Sequence, residues 1–328
     1  MAGWGPRQRH GSIERLFPFP FPSGHAMFFR NLTLFRFPTS LDFSQIDSIL
    51  PNARLRPVGP LEMTSRGFIS PFGREEQEVL NQRQGDFLWL TVGSEDKILP
   101  ASVVNDLLTR KCSEIEEKKG HPPGGRERKR IKDDLIHELL PRAFVKNSRI
   151  DAMLDLRYGY VAVDTASRKA AETVISEIRD LLGSFPALPL NAEISIRSML
   201  TSWIAGEPLP EHLNLGDECE MKDATEGGAI IKCQHQALRC EEIDKHLEVG
   251  KQVSKLALIL DDHVSFVLGD DLVIRKLKFL DGMLDQLEHS DTDGIRAELD
   301  ACFALMSAEI RRLFLLLEVP LKLSKANN

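Results

Sequence analysis

No uninterrupted apolar run in the 328 residues approaches the roughly 20 that a membrane-spanning helix needs, so no membrane partner is expected. Cysteine is scarce. Cys112, Cys219, Cys233, Cys240 and Cys302 are five, odd in number and scattered, a pattern that suits a reducing cytoplasm better than a disulfide framework. Positive charge is not in excess either: 42 Lys and Arg face 49 Asp and Glu, a net charge of −7. That excludes a protein coated in cations but leaves room for a locally basic surface. What is present is an ordinary globular balance, 42% hydrophobic and 28% charged residues, which excludes wholesale disorder. The length suits two or three modest domains or one large one.

Catalytic signatures are missing too. Gly250-Lys251 lacks the upstream glycine and the hydroxyl of a phosphate-cradling loop, and no Gly-x-Gly-x-x-Gly follows a strand. His137-Glu138 is followed by Pro141 where a zinc protease needs histidine. Cys233, His235 and Cys240 lack the tight spacing that tetrahedral zinc usually takes. The acidic pairs Asp133-Asp134, Asp261-Asp262 and Asp270-Asp271 read as solvent-facing turn and helix positions. The chain is therefore read as a non-enzyme, with no catalytic residue, metal site or cofactor assigned.

The stretch 1–26 carries Arg7, Arg9 and Arg15 and then a Phe-Pro repeat at 17–22. Alternating prolines forbid a helical signal segment, so it is read as a disordered extension or an over-called start, with Met27 opening a strand pattern at 28–37. The apolar run 87–92 has strand length and ends at Gly93-Ser94. Helical periodicity follows: Val104, Leu107, Leu108 and Ile115 share one face, and Ile131, Leu135 and Leu139 share another. His121-Pro122-Pro123-Gly124-Gly125 between them cannot continue a helix, so 99–146 forms an αα-hairpin, a projecting arm. Strands at 150–156 and 159–164 and a helix at 167–182 complete a central domain of 27–98 with 147–190, in which 185–189 reads as a linker. The base domain, 191–328, opens with a helix at 194–204 and an acidic, loop-rich passage at 207–226. A helix at 240–249, a three-strand meander (252–260, 264–268, 272–279) and a long amphipathic helix from 295 to 317 complete it. Antiparallel strands mixed with separate helices make the fold class α+β.

Charge is unevenly placed. Over 110–149, twelve Lys or Arg stand against seven acids, so the arm carries +5 and the remainder −12. Arg126, Arg128, Lys129 and Arg130 crowd the start of the second arm helix, where the macrodipole disfavours cations. A local rule broken without compensation points to an anionic partner; a solvated helix end is the alternative. In the base, Lys251 and Lys255 are four apart on a strand and share one face, while Lys276 and Lys278, just after Arg275, share another. Such rows suit the repeating phosphates of a duplex, though solvent-facing strand positions are also simply polar. No zinc finger, basic zipper or RNP-type aromatic motif accompanies them, so contacts with nucleic acid would be mainly to phosphates and largely sequence-independent.

Several segments, in order, resemble the bacterial recombination-associated RdgC family: Met27-Phe28-Phe29-Arg30-Asn31-Leu32, Glu95-Asp96-Lys97-Ile98-Leu99-Pro100, Leu139-Leu140-Pro141-Arg142-Ala143-Phe144, Gly250-Lys251 with Lys255-Leu256-Ala257-Leu258, and Arg275-Lys276-Leu277-Lys278-Phe279. The resemblance runs from Met27 to the last helix. It implies a ring-shaped homodimer with a cation-lined hole that admits double-stranded DNA with little sequence preference. It also implies a place at the cytoplasmic nucleoid and restraint of the recombinase RecA. The arm then corresponds to the family's tip and the base domain to its base, each meeting the partner subunit. Phe144 falls on the tip's aromatic contact, and Gln236 and Lys251 on residues tied to DNA binding or to the ring's gate. Two departures stand out: His235 occupies a position where lysine is expected, and the tip's break is rich in Pro and Gly.

The expected function is thus a sequence-independent duplex-DNA-binding dimer using Lys251, Gln236, Lys255, Arg275, Lys276, Lys278, Arg126, Lys129 and Arg130. The alternative is a protein-interaction module whose basic arm grips an acidic partner such as RecA, and third comes an enzyme acting on DNA ends.

Overall fold

A computed structural model describes residues 28–73, 76–223, 225, 228–280 and 295–324, leaving aside the side chains of residues 295, 296 and 298. The extension at 1–26 and Met27 lie outside the described residues. The fold is α+β with two antiparallel sheets. The first is ordered β2-β4-β5-β6-β1-β7, from β1 (Thr33–Arg36), β2 (Thr64–Ile69), β4 (Phe87–Ile98), β5 (Phe144–Asp155), β6 (Tyr160–Val163) and β7 (Leu188–Pro189), with β3 (Asn81–Gln84) beside the first half of β4. The second is ordered β12-β11-β10-β8-β9, from β8 (Leu213–Lys222), β9 (Ile230–Gln234), β10 (Gln252–Leu260), β11 (Val264–Gly269) and β12 (Ile274–Phe279).

Side-chain alternation explains the continuous apolar runs of the first sheet. Leu88, Leu90, Leu154, Val161 and Val163 point to one face, where Val174 and Ile178 of α4 (Arg168–Leu182) cover them. Trp89, Met153, Tyr160 and Ala162 point to the other, so both faces are buried and the strands carry no polar half. That second face shares one core with the inner face of the second sheet, with α5 (Ile196–Ile204), α6 (Glu241–Glu248) and the last helix, α7 (Ile295–Glu318). On α7, Cys302, Phe303, Met306, Ile310, Leu313, Phe314 and Leu317 are buried. Charge bolts the helix in place. Arg311 makes a bidentate pair at 2.6 and 2.9 Å with Asp155, whose side chain is fully buried, and Arg312 pairs with Asp261 next to β10. No helix among the described residues is long and apolar enough to cross a membrane.

The structure departs from the sequence reading at four places. The run at 87–92 does not end at Gly93; β4 continues to Ile98, and a Cβ at Gly93 would lie 2.8 Å from Ile69, so glycine here admits a close neighbour within a strand. The segment at 185–189 is no free linker, because Phe185 and Ala187 are buried and β7 pairs with β1. The acidic passage at 207–226 contains the ten-residue strand β8, with Cys219 and Met221 inward and Glu218 and Glu220 outward. Of the pattern at 28–37, only β1 is regular strand in the first sheet; the residues before it run beside β12, bridged at Leu32 and Ile274.

The arm is built as expected. β4 and β5 pair along their whole length to Ile98 and Phe144, and the hairpin of α2 (Ala101–Lys119) and α3 (Gly125–Leu139) is inserted at the end of that ribbon. Gly120 closes α2 in the left-handed conformation at φ 76°, where a Cβ would be strained. Leu108, Ile131 and Leu135 form a small core of the arm's own, and Pro141 sits in a short 3-10 turn that ends the second helix.

Candidate nucleic-acid interface

The second helix of the arm presents its first two turns to solvent. Arg126, Arg128, Lys129 and Arg130 are all exposed and none makes an ion pair among the described residues. The arm's two ion pairs are Lys111–Glu138 at 3.3 Å and Lys119–Glu127 at 2.8 Å; Glu127 shares the first turn of α3 with the cations but is taken by Lys119 of α2. Four cations therefore add their field to the positive end of the α3 macrodipole without a carboxylate in contact. At the arm's foot, Phe144 is 83% exposed, Val145 next to it in sequence and Ile98 opposite it in register are exposed, and so is Val103 in the first turn of α2.

The outer face of the second sheet is built differently. Lys255 on β10 lies opposite Glu220 on β8, and Glu220 lies opposite Lys232 on β9. Glu220 is nearly buried and receives Lys255 at 3.0 Å, Lys222 at 3.3 Å, Lys232 at 3.6 Å and the Ser254 hydroxyl at 3.1 Å. Burial alone would raise its pKa, but hydrogen bonds and charge from Lys255, then Lys222 and Ser254, outweigh that and hold the carboxyl down to about 2. Lys276 reaches Glu218 at 2.7 Å, and Arg275 forks onto Asp271 at 2.6 and 2.9 Å. Gly269 makes room for that fork, since a Cβ there would sit 2.5 Å from the Arg275 guanidinium.

Strand irregularities change the rows read from the sequence. Lys251 precedes β10, and Ser254 is an extra residue in the pairing with β8, so Lys251 and Lys255 fall out of phase rather than sharing a face. Lys251 is only 13% exposed and held by Asp223, whose carboxyl it lowers through their hydrogen bond. A bulge in β12 likewise puts Lys276 in the left-handed region, at φ 52°. Lys276 and Lys278 are nevertheless both exposed, with Leu277 buried between them, and Lys278 makes no ion pair among the described residues. Gln236 is half-buried just after β9, its N–H donating to the Asp217 carbonyl at 3.3 Å. His235 beside it sits at φ 58° with its ring 3.2 Å from the Asp217 carboxylate.

The structure thus brings together Lys255, Arg275 and Lys276 with Lys222 and Lys232, which sequence reasoning missed, and leaves Arg126, Lys129 and Arg130 as a separate cluster on the arm. Lys222 ends β8 inside the acidic passage and Lys232 lies on β9 beyond it, and the two meet at one carboxylate only because β8 and β9 pair.

Among the described residues, no group of three or more His, Cys, Asp or Glu is placed to hold a metal ion. A family model described as "Putative exonuclease, RdgC" matches residues 27–323. The chain is 99% identical over 302 residues to the recombination-associated protein RdgC of Xylella fastidiosa (strain 9a5c), a match covering 92% of this chain and 100% of that protein. It is 77% identical over 300 residues to the proteins of the same name from Xanthomonas axonopodis pv. citri (strain 306) and Xanthomonas oryzae pv. oryzae (strain MAFF 311018), each match covering 92% of this chain and 100% of the relative. With nearly its whole length matched at this identity, the chain belongs to the RdgC family.

Proposed function

We propose that this protein binds double-stranded DNA without sequence preference, as a homodimeric ring at the nucleoid, and restrains RecA-driven recombination by occupying the duplex. The observation that carries the reading is the set of exposed cations on α3 (Arg126, Arg128, Lys129 and Arg130) that meet no carboxylate among the described residues in a chain of net charge −7. Cations left free are ready to replace the counterions of a phosphate backbone. The lysines around Glu220 are a second contact surface, one that must first exchange a carboxylate for a phosphate. A ring reconciles acidity with DNA binding by turning cations to the hole and acids to the rim. The exposed Phe144, with Ile98 and Val145 exposed next to it, supports self-association, because an exposed apolar patch gains by meeting its copy.

The reading is of a binding protein rather than a nuclease. Fluorescence anisotropy on two unrelated duplexes should give matching affinities, light scattering should give twice the 36.9 kDa chain mass, and an end-labelled duplex should stay intact with Mg²⁺ or Mn²⁺. Shortening of that duplex would replace the reading with a nuclease. A dimer indifferent to DNA but saturably bound to RecA would replace it with the protein-interaction reading, which the apolar foot of the basic arm favours.

A further inference from the structure

Three of the five cysteines, far apart in sequence terms from any motif, gather at one edge of the second sheet. Cys219 on β8 is buried and lies directly opposite Cys233 on β9, which is half-buried, and Cys240 stands at the start of α6. Directly opposed residues of an antiparallel pair hold their Cβ atoms about 4.5–5.5 Å apart, close to the roughly 3.8 Å that a disulfide takes. Their pairing across the two strands puts the Cys233 thiol close enough to Cys219 to help raise its pKa. β9 is an edge strand whose partner in the sheet is β8, so nothing on its far side in the sheet opposes a small inward shift.

We propose that Cys219 and Cys233 are an oxidation-sensitive dithiol that closes to a cross-strand disulfide on exposure to a hydroperoxide. The half-buried Cys233, as thiolate, attacks the peroxide oxygen; the O–O bond breaks, the alcohol or water departs, and Cys233 becomes a sulfenic acid. The Cys219 thiolate then attacks the Cys233 sulfur and expels hydroxide, which leaves as water. Overall, two thiols give two electrons and two protons to one hydroperoxide, yielding one disulfide, one alcohol and one water. Burial, with the neighbouring Cys233 thiol adding to it, pushes Cys219 up to about 12, so the second step is the slow one and the sulfenic acid on Cys233 accumulates first. The bond would pin the strand that carries Lys232 and leads into Gln236; its formation does not depend on DNA binding.

The test is hydrogen peroxide titration of the reduced full chain without DNA, followed by alkylation in denaturant and peptide mapping. The expected result is a fall from five alkylated thiols to three, a Cys219–Cys233 linked peptide, transient dimedone labelling of Cys233, and the same linkage in Cys240→Ser but not in Cys233→Ser. Five thiols still alkylated, a sulfinic acid on Cys233 without a linkage, a Cys219–Cys240 bond or a bond between chains would each overturn the proposal.

Discussion

The arm and the outer face of the second sheet both carry clustered cations, yet they treat those cations in opposite ways. On the sheet, Lys222, Lys232 and Lys255 converge on the nearly buried Glu220, and Arg275 and Lys276 have carboxylates of their own. On α3, Arg126, Arg128, Lys129 and Arg130 stand exposed with none among the described residues. The difference follows from how each element is stabilised. An antiparallel sheet sets like charges within reach of one another across strands, where they destabilise unless an acid intervenes. A two-helix arm with its own small core lets cations splay into water. Free cations give the full salt dependence of duplex binding, whereas paired ones give up a protein contact for each phosphate they gain.

The largest effect expected from breaking this contrast is on the arm. Replacing Arg126, Arg128, Lys129 and Arg130 together with serine should weaken duplex binding by about a thousandfold near 0.1 M salt. Thermal stability should change by only about 0.5 kcal/mol or less, the usual outcome at exposed positions. Unfolding of the variant at the wild-type midpoint, together with a weakened affinity, shows the two effects apart.

The pair Arg311–Asp155 is the extreme of charge held within the fold. Arg311→Ala strands a fully buried carboxylate and should cost about 3–5 kcal/mol in urea unfolding, without a comparable change in the duplex affinity of the protein that remains folded. A cost below about 1 kcal/mol would show that the pair does not fix α7.

Asp164 is half-buried and makes no ion pair among the described residues. Its carboxylate accepts the N–H groups of Arg30 and Asn31 at 2.9 and 2.8 Å, but burial outweighs those bonds and raises its pKa to about 6. A carboxyl whose folded pKa is raised contributes stability that is complete below its unfolded value near 4 and is lost as pH climbs through about 6. Asp164→Asn keeps the accepting oxygen and removes the charge. It should therefore gain up to about 3 kcal/mol on the wild type at pH 8, and a pH series of melting curves in which the two proteins stay parallel would contradict this.

Smaller effects sharpen the sheet side. Glu220→Gln frees three lysines and should tighten duplex binding about tenfold while steepening its salt dependence. Lys255→Ala should lower the slope of log affinity against log salt by less than about one, the amount expected for an unpaired phosphate contact. A drop as large as that for an arm cation would show that pairing to Glu220 is irrelevant to binding.

Much of the fold was legible from local pattern. The Pro-Pro-Gly-Gly break between two helical stripes gave the arm, and the spacing from Leu299 to Leu317 gave α7. β8 was hidden because its outward acids are neutralised from other strands, Glu220 by Lys255 and Lys232 and Glu218 by Lys276. Bulges at Ser254 and Lys276 were hidden for a related reason, since a strand's phase is set by its partner as well as by its own residues. The arm cations could be read directly because they lie within five residues. The Glu220 cluster could not, because it is assembled from three strands.

The central claim is that the free cations of α3 meet duplex phosphates. It is tested most directly by the salt slope of duplex binding, measured by fluorescence anisotropy for the wild type and for the fourfold arm variant. A slope shallower by about three to four in the variant, alike on unrelated duplexes, is the predicted result; equal slopes would mean the arm touches no phosphate and would contradict the account.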